Sequence, residues 1–113
     1  MITLYGIKNC DSVKKAINFF KKNNLEYQLF NYKTEHLPCE KIAFWLTKIE
    51  MKTLFNARST TYRNLKLKEL KLNENEQREW LCKENLLIKR PVVEYDGHLL
   101  VGYNDEIYQR NFL

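Results

Sequence analysis

The sequence has 113 residues, enough for one domain with a single hydrophobic core. It is 44% hydrophobic and 29% charged, with three Gly and two Pro, which is typical of a globular protein and excludes linkers, low-complexity tracts and repeats. The net charge of +5 permits an anionic partner, but no basic and aromatic nucleic-acid module is recognisable, so direct nucleic-acid binding is not expected.

The first predicted elements form a βαβ unit. Ile2–Tyr5 has the pattern of a short strand, and Leu25–Tyr32 alternates as a second strand after Asn23 and Asn24 end a helix. Four apolar residues between the strands recur at i, i+3, i+4 and i+7, which predicts one helix face: Val13, Ala16, Ile17 and Phe20. The strands of such a unit are parallel, and its helix begins at the carboxyl end of the first strand.

A helical section is predicted next, from about residue 36 to 86. Pro38 suits the first turn of a helix. The apolar face of that helix again follows i, i+3, i+4 and i+7, at Ile42, Trp45, Leu46 and Ile49. Asn73 with Glu76 three residues later resembles a capping box at the start of another helix.

The last predicted elements are a hairpin and a helix. Asp96-Gly97 lies between two apolar runs and predicts a type I′ turn joining antiparallel strands. Asn104 is a candidate N-cap for the terminal helix. Pro91 is tolerated as the first residue of a strand because it lacks a ladder donor.

This order of elements predicts an α/β protein with a four-stranded mixed sheet and helices packed on it. It matches a thioredoxin-like fold with an inserted helical subdomain at about residues 36–86, in a single domain spanning residues 1–113. The N-terminus lacks a signal-peptide pattern, and no apolar run approaches membrane-spanning length. We therefore expect a soluble cytoplasmic protein that does not contact a membrane, and a monomer.

The three cysteines differ in setting. Cys10 lies between an apolar strand and the first turn of a helix, where free N–H groups and the helix dipole favour a thiolate nucleophile. The alternative, a buried structural cysteine, is weakened by the polar flanks Lys8, Asn9, Asp11 and Ser12. Cys39 and Cys82 lie in apolar helical segments, which favours packing over catalysis.

Cysteine and histidine spacing bears on compartment and metal binding. An odd number of widely spaced cysteines fits a reducing compartment better than a secreted disulfide framework. Val13 stands where a C-x-x-C partner of Cys10 would be, so disulfide chemistry would need a distant cysteine or an external thiol such as glutathione. His36 and His98 are isolated, and no metal site is predicted.

Two arginines are candidates for binding an anion. Arg58 lies in a polar segment and Arg90 directly precedes Pro91; each taken alone is more typical of protein surface. If both converged on Cys10, their guanidinium groups would stabilise the thiolate and bind an oxyanion or carboxylate bidentately. Spacing along the chain does not establish that convergence.

Three segments together resemble the arsenate reductase-like family, which includes arsenate reductases, the RNA-polymerase-binding regulator Spx and YffB-like thiol reductases. The segments are residues 5–11 (YGIKNCD) with 14–16 (KKA), 56–63 (NARSTTYR), and 88–93 (IKRPVV) with 100–103 (LVGY). The resemblance covers nearly the full length and looks closest to the YffB-like branch.

The resemblance implies a thioredoxin-like fold with a cis peptide before Pro91 and a catalytic site formed by Cys10, Arg58 and Arg90. Lys8, Asn9 and Pro91 are expected to contact substrate. In the family's reductases the matching cysteine attacks an oxyanion, and glutathione or glutaredoxin resolves the adduct. No bound cofactor is implied, and glutathione is the expected co-substrate.

Two departures shape the functional hypotheses. Arsenate-reducing members carry a further arginine after the final hairpin, where this chain has Gly102-Tyr103, so arsenate is not favoured as substrate. Spx uses a C-x-x-C switch, which Val13 removes. The main hypothesis is a glutathione-linked thiol reductase of unknown substrate. The alternatives are an Spx-like regulator that contacts RNA polymerase without turnover, and a scaffold that has lost catalysis.

Overall fold

The computed structural model describes residues 1–113, and the contacts within the chain divide it into two units. The first unit, the sheet unit, combines Met1–Asn31 with Arg90–Leu113. The second, the helical unit, is Tyr32–Lys89 and contains the insertion expected at about residues 36–86. The assignment of the whole chain to one domain stays a prediction.

The sheet unit contains a four-stranded mixed sheet, as predicted. Its strands are β1 (Ile2–Gly6), β2 (Tyr27–Asn31), β3 (Val92–Tyr95) and β4 (His98–Val101), in the spatial order β2-β1-β3-β4. Strands β1 and β2 are parallel, whereas β3 pairs antiparallel with both β1 and β4. The predicted crossover and hairpin are both confirmed.

Helix α1 (Asp11–Lys22) packs on this sheet through its apolar face. The face buries three of the four predicted residues, adds Phe19, and leaves Ile17 partly buried. The core that they form also includes one residue each from β1, β3 and the terminal helix α6 (Asp105–Phe112): Leu4, Val93 and Tyr108. The crossover thus places the start of α1 at the carboxyl end of β1.

The hairpin turn between β3 and β4 and the N-cap of α6 both form as their residues predict. Asp96 (φ 43°) and Gly97 (φ 77°) are both left-handed, which a type I′ turn requires and which glycine and aspartate tolerate. The Asn104 side chain accepts a hydrogen bond from the backbone N–H of Ile107 at 3.1 Å and caps α6.

The helical unit contains four short helices: α2 (Cys39–Leu46), α3 (Met51–Leu54), α4 (Thr60–Asn64) and α5 (Glu74–Lys83). Two 3-10 turns follow α4 and α5, at Leu67–Leu70 and Asn85–Leu87. The Asn73–Glu76 capping box before α5 is confirmed by reciprocal hydrogen bonds of 2.8 and 3.0 Å. Pro38 is the N-cap of α2 in an extended conformation, just before the first turn in which it was predicted.

The prediction that Cys39 and Cys82 are packing cysteines is wrong. A disulfide joins them, with their Cα atoms 5.0 Å apart, and Cys39 is exposed while Cys82 is partly buried. Cys39 is the first residue of α2, and the first buried residue of the apolar face of this helix is Ile42. Because helical side chains lean toward the N-terminus of their helix, the Cys39 side chain lies beyond the end of that face. Periodicity also contains no information about a partner 43 positions away.

The end of β1 approaches α1 so closely that Gly6 is required there. A Cβ atom on Gly6 would lie 2.7 Å from Cγ2 of Val13, which is fully buried. We expect Gly6→Ala to lower the free energy of unfolding by about 1–3 kcal/mol because the core must shift to admit the methyl group. Urea denaturation measures the change.

A double-mutant cycle is the control for this prediction. Val13→Ala removes the atom that the new methyl group would meet, so Gly6→Ala should cost less in that background than in the wild type. Equal costs in both backgrounds would show that the contact with Val13 does not explain the need for glycine.

Candidate functional site

The cysteine turn, residues 7–10, connects β1 to α1 and positions the Cys10 thiol. The turn is closed by a hydrogen bond from the Cys10 N–H to the Ile7 carbonyl at 3.4 Å. Cys10 is the N-cap residue of α1, with extended backbone, and its carbonyl accepts the first helical hydrogen bond, from the Lys14 N–H at 2.9 Å. The thiol therefore lies at the N-terminus of a 12-residue helix, as the sequence predicts.

The Cys10 side chain is free and partly exposed. It packs at the edge of the sheet unit's core and makes no capping hydrogen bond. An α-helix leaves its first backbone N–H groups without intrahelical partners, and these groups attract negative charge. Lys8 and Asn9 are exposed in the turn, whereas the carboxylate of Asp11 brings one negative charge to the first helical turn. This arrangement suits a nucleophilic sulfur that a reagent reaches from solvent.

Arg90 and Pro91 lie at the same end of the sheet as the cysteine turn. Val92 pairs with Tyr5 in the antiparallel register of β3 and β1, so the two residues before Val92 run alongside the end of β1. The peptide bond between Arg90 and Pro91 is cis, as the resemblance implied. Pro91 is buried, and its carbonyl accepts a hydrogen bond from the Gly102 N–H at 2.7 Å. Topology thus brings this loop and Cys10 to one end of the sheet.

Arg58 lies in the helical unit, just before α4. Its backbone N–H donates to Oδ1 of Asn56 at 3.1 Å, and its carbonyl accepts from Nη1 of Arg63 at 3.3 Å. Ser59 caps α4 by accepting from the Tyr62 N–H, which sets the conformation of the segment. The Arg58 side chain is exposed, and its role at Cys10 stays a prediction.

The sequence analysis missed a polar pair on the strand that leads to the cysteine turn. The Tyr5 hydroxyl donates to Oε1 of Glu94 at 2.8 Å, and Tyr5 is only 6% exposed. Burial, and then the hydrogen bond to Glu94, raise the pKa of Tyr5, so the hydroxyl stays a donor at neutral pH. The one sequence signal for this pair was Glu94, a carboxylate within the apolar run of β3. Its partner Tyr5 is 89 positions away, so no local pattern links the two residues.

Two further observations limit the kinds of site. No cluster of three or more His, Cys, Asp or Glu side chains is arranged to hold a metal ion. None of the helices combines the length and the apolar character needed to cross a membrane.

Comparisons with known proteins agree with these features. Residues 5–111 match the ArsC family. The chain is 40% identical over 114 residues to an uncharacterised protein of Haemophilus influenzae, with 99% of each chain covered. It is 29% identical over 112 residues to the global transcriptional regulator Spx of Lactiplantibacillus plantarum, covering 97% of this chain and 85% of the regulator.

A solved structure confirms the fold. A YFFB protein superposes with a TM-score of 0.89 and 32% identity, and the match covers 97% of both chains. The predicted α/β, thioredoxin-like architecture and the predicted family are thereby confirmed. The chain belongs to the ArsC family.

Proposed function

We propose that this protein is a cytoplasmic, glutathione-linked thiol reductase in which Cys10 is the nucleophile. One observation carries the proposal: Cys10 is a free, partly exposed thiol at the N-terminus of α1. Membership of the ArsC family agrees with it. The proposed compartment is one in which glutathione keeps thiols reduced.

The proposed reaction passes through two covalent intermediates. The Cys10 thiolate attacks the substrate, and a leaving group departs; for an oxyanion this is a hydroxyl that leaves as water after taking a proton. Glutathione then attacks the Cys10 sulfur, and the substrate departs with the electron pair of the broken bond, reduced by two electrons. A second glutathione attacks the mixed disulfide, which releases oxidised glutathione and restores Cys10.

The residues beside Cys10 have proposed roles in binding the anion. The Arg90 guanidinium offsets negative charge on the substrate and on the thiolate, and Lys8, Asn9 and Pro91 contact the substrate. Arg58 is proposed, from the family resemblance, to bind the same anion. Gly102-Tyr103 supplies no arginine after the final hairpin, so we propose a substrate other than arsenate.

A glutathione adduct tests the proposed chemistry without a known substrate. The protein with its Cys39–Cys82 disulfide intact is incubated with oxidised glutathione, and the adducts are located by peptide mass spectrometry. We expect one glutathione, on Cys10, since Cys10 is the free thiol. The Cys10→Ser variant should gain none. Absence of the adduct on wild-type Cys10, or adducts on Cys39 and Cys82 alone, would overturn the proposal.

Charge-changing variants test the proposed role of Arg90. Negatively charged iodoacetate and neutral iodoacetamide alkylate the same thiol, so the ratio of their rates reports the local potential at Cys10. We expect Arg90→Gln to lower this ratio by about three- to tenfold, because the proposal places the guanidinium charge of Arg90 close to the sulfur. The same measurement on Arg58→Gln tests the role proposed for Arg58.

Two variants serve as controls for this measurement. Asp11→Asn removes a negative charge from the first turn of α1 and should change the ratio in the opposite direction. Arg110→Gln, an exposed position on α6, should leave it unchanged. If Arg90→Gln behaves like Arg110→Gln, Arg90 does not act on the Cys10 thiolate.

A second candidate function follows from the similarity to Spx, a global transcriptional regulator. In this alternative the protein contacts RNA polymerase and Cys10 takes no part in turnover. Affinity purification of the tagged protein distinguishes the two functions. Retention of polymerase subunits by both wild type and Cys10→Ser, together with no glutathione-linked turnover, would favour the regulator. For the reductase, the expected partners are glutathione or glutaredoxin, and the expected state is a monomer.

A further inference from the structure

We propose that Cys39 and Cys82 form a second redox site, a reversible dithiol and disulfide pair that a peroxide oxidises and glutathione reduces. This site lies wholly within the helical unit, whereas Cys10 belongs to the sheet unit. The inference goes beyond the proposed reductase function, since it does not depend on turnover at Cys10.

The geometry of the backbone allows the pair to form and open without rearrangement. Cys39 is the first residue of α2, and Cys82 is the last but one of α5. Their Cα atoms are 5.0 Å apart, within the range of about 4.4–6.8 Å that native disulfides span.

Noncovalent contacts beside the pair hold the same two helix ends together. The N–H of Leu37, two residues before Cys39, donates to Oδ1 of Asn85 at 2.8 Å, and Nδ2 of Asn85 donates to the Leu81 carbonyl at 3.0 Å. Leu37, Leu81 and Asn85 are all buried, with Asn85 6% exposed. Because buried hydrogen-bonded polar groups resist separation, the two thiols should stay close after reduction.

Reagents in solution have access to the pair. Cys39 is exposed and Cys82 is partly buried, so a small oxidant or a glutathione thiolate reaches at least one sulfur. A structural disulfide sealed in the core would lack this access. Exposure combined with preformed proximity is the arrangement expected of a responsive pair.

The oxidation balances with hydrogen peroxide as the named oxidant. One thiolate attacks the peroxide, whose O–O bond breaks, giving a sulfenic acid and, after protonation, water. The second thiol attacks the sulfenic sulfur, forming the disulfide and releasing a second water. Two glutathiones reverse the reaction and become oxidised glutathione.

Alkylation after peroxide treatment tests this site in the full-length Cys10→Ser variant, in which Cys39 and Cys82 are the only cysteines. Reduced protein should take up two alkyl groups. After treatment with hydrogen peroxide, the protein should take up no alkyl groups, and its intact mass should be lower by two hydrogens. Its melting temperature should rise by about 10 °C, because the disulfide closes a loop spanning 43 positions. Added glutathione should restore both alkylation sites.

The Cys10→Ser, Cys39→Ser double variant is the matched control, and it should show neither the crosslink nor the rise in melting temperature. Persistence of two alkylatable thiols after peroxide would overturn the proposal, as would oxidation that yields only sulfinic acid or crosslinks between molecules. A crosslink that glutathione cannot open would identify a static structural disulfide instead. Failure here would leave the Cys10 adduct experiment unaffected.

Discussion

Cys10→Ser is expected to lower glutathione-linked turnover at least about 1000-fold, because a serine hydroxyl is not ionised at neutral pH and cannot form a mixed disulfide. The site offers no substitute nucleophile in the sheet unit, since Cys39 and Cys82 both belong to the helical unit. The measurement is the rate of glutathione oxidation with a small disulfide as substrate, followed by coupling to glutathione reductase. Cys10→Ser is compared in the Cys39→Ser background, so that the Cys39–Cys82 pair does not contribute.

The matched control is Cys39→Ser, which removes a sulfur from the same chain without touching the cysteine turn. We expect it to retain the turnover of the wild type, assayed well below its melting temperature. Equal turnover by Cys10→Ser and wild type would exclude Cys10 as the nucleophile. Loss of turnover in Cys39→Ser alone would instead place the chemistry in the helical unit.

Phe20→Ala is expected to lower the free energy of unfolding by about 3–5 kcal/mol, the largest effect on stability that we predict for one substitution. Phe20 is a fully buried residue of α1 whose ring packs against β2 and α6. Its ring centroid lies 5.5 Å from that of Tyr27, 5.9 Å from that of Tyr108 and 5.4 Å from that of Phe112. Truncation removes these contacts and leaves a cavity that a rigid aromatic cluster cannot fill.

Phe44→Ala is the matched control, because it makes the same substitution at a residue of α2 that is 50% exposed. We expect it to lower the free energy of unfolding by well under half as much as Phe20→Ala. Urea denaturation followed by circular dichroism compares the variants. If Phe20→Ala does not fold, Phe20→Leu gives a smaller loss of the same sign. A loss from Phe20→Ala no larger than that from Phe44→Ala would contradict the assignment of Phe20 to the core.

Both predictions concern helix α1, whose apolar face forms part of the core and whose N-terminus positions the Cys10 thiol. Val13 and Phe20 hold the helix on the sheet, and Gly6 lets β1 approach its first turn. Cys10 is placed by that packing rather than by a hydrogen bond of its own side chain. Substitutions in the core that tilt α1 should therefore alter Cys10 reactivity before they unfold the protein.

Much of the architecture was predictable because turns, helix caps and amphipathic faces depend on residues only a few positions apart. Asp96-Gly97 tolerates the left-handed turn that joins β3 and β4, and Asn104 and Asn73 cap α6 and α5 through neighbours three residues away. The apolar spacing of α1 predicted which side packs on the sheet. Family resemblance added the cis peptide before Pro91.

Other features depend on contacts between distant segments. The Cys39–Cys82 disulfide, the Leu37–Asn85 hydrogen bond and the Tyr5–Glu94 pair join residues 43 to 89 positions apart. None of these pairs has a local pattern, and for Cys39 the local pattern indicated the wrong role. Sequence reasoning singled out Cys39 and Cys82 without predicting that they pair, and it missed the other two pairs.

The sequence by itself determined the elements, their caps and turns, and the candidate nucleophile Cys10, because propensity, periodicity and helix capping act between residues a few positions apart. Only the tertiary structure decided that the Arg90-Pro91 loop shares the end of the sheet with Cys10, and that the other two cysteines are paired. The physical reason is that strand register and helix packing result from burying many apolar side chains together. That burial sets distances between segments that no short stretch of sequence specifies.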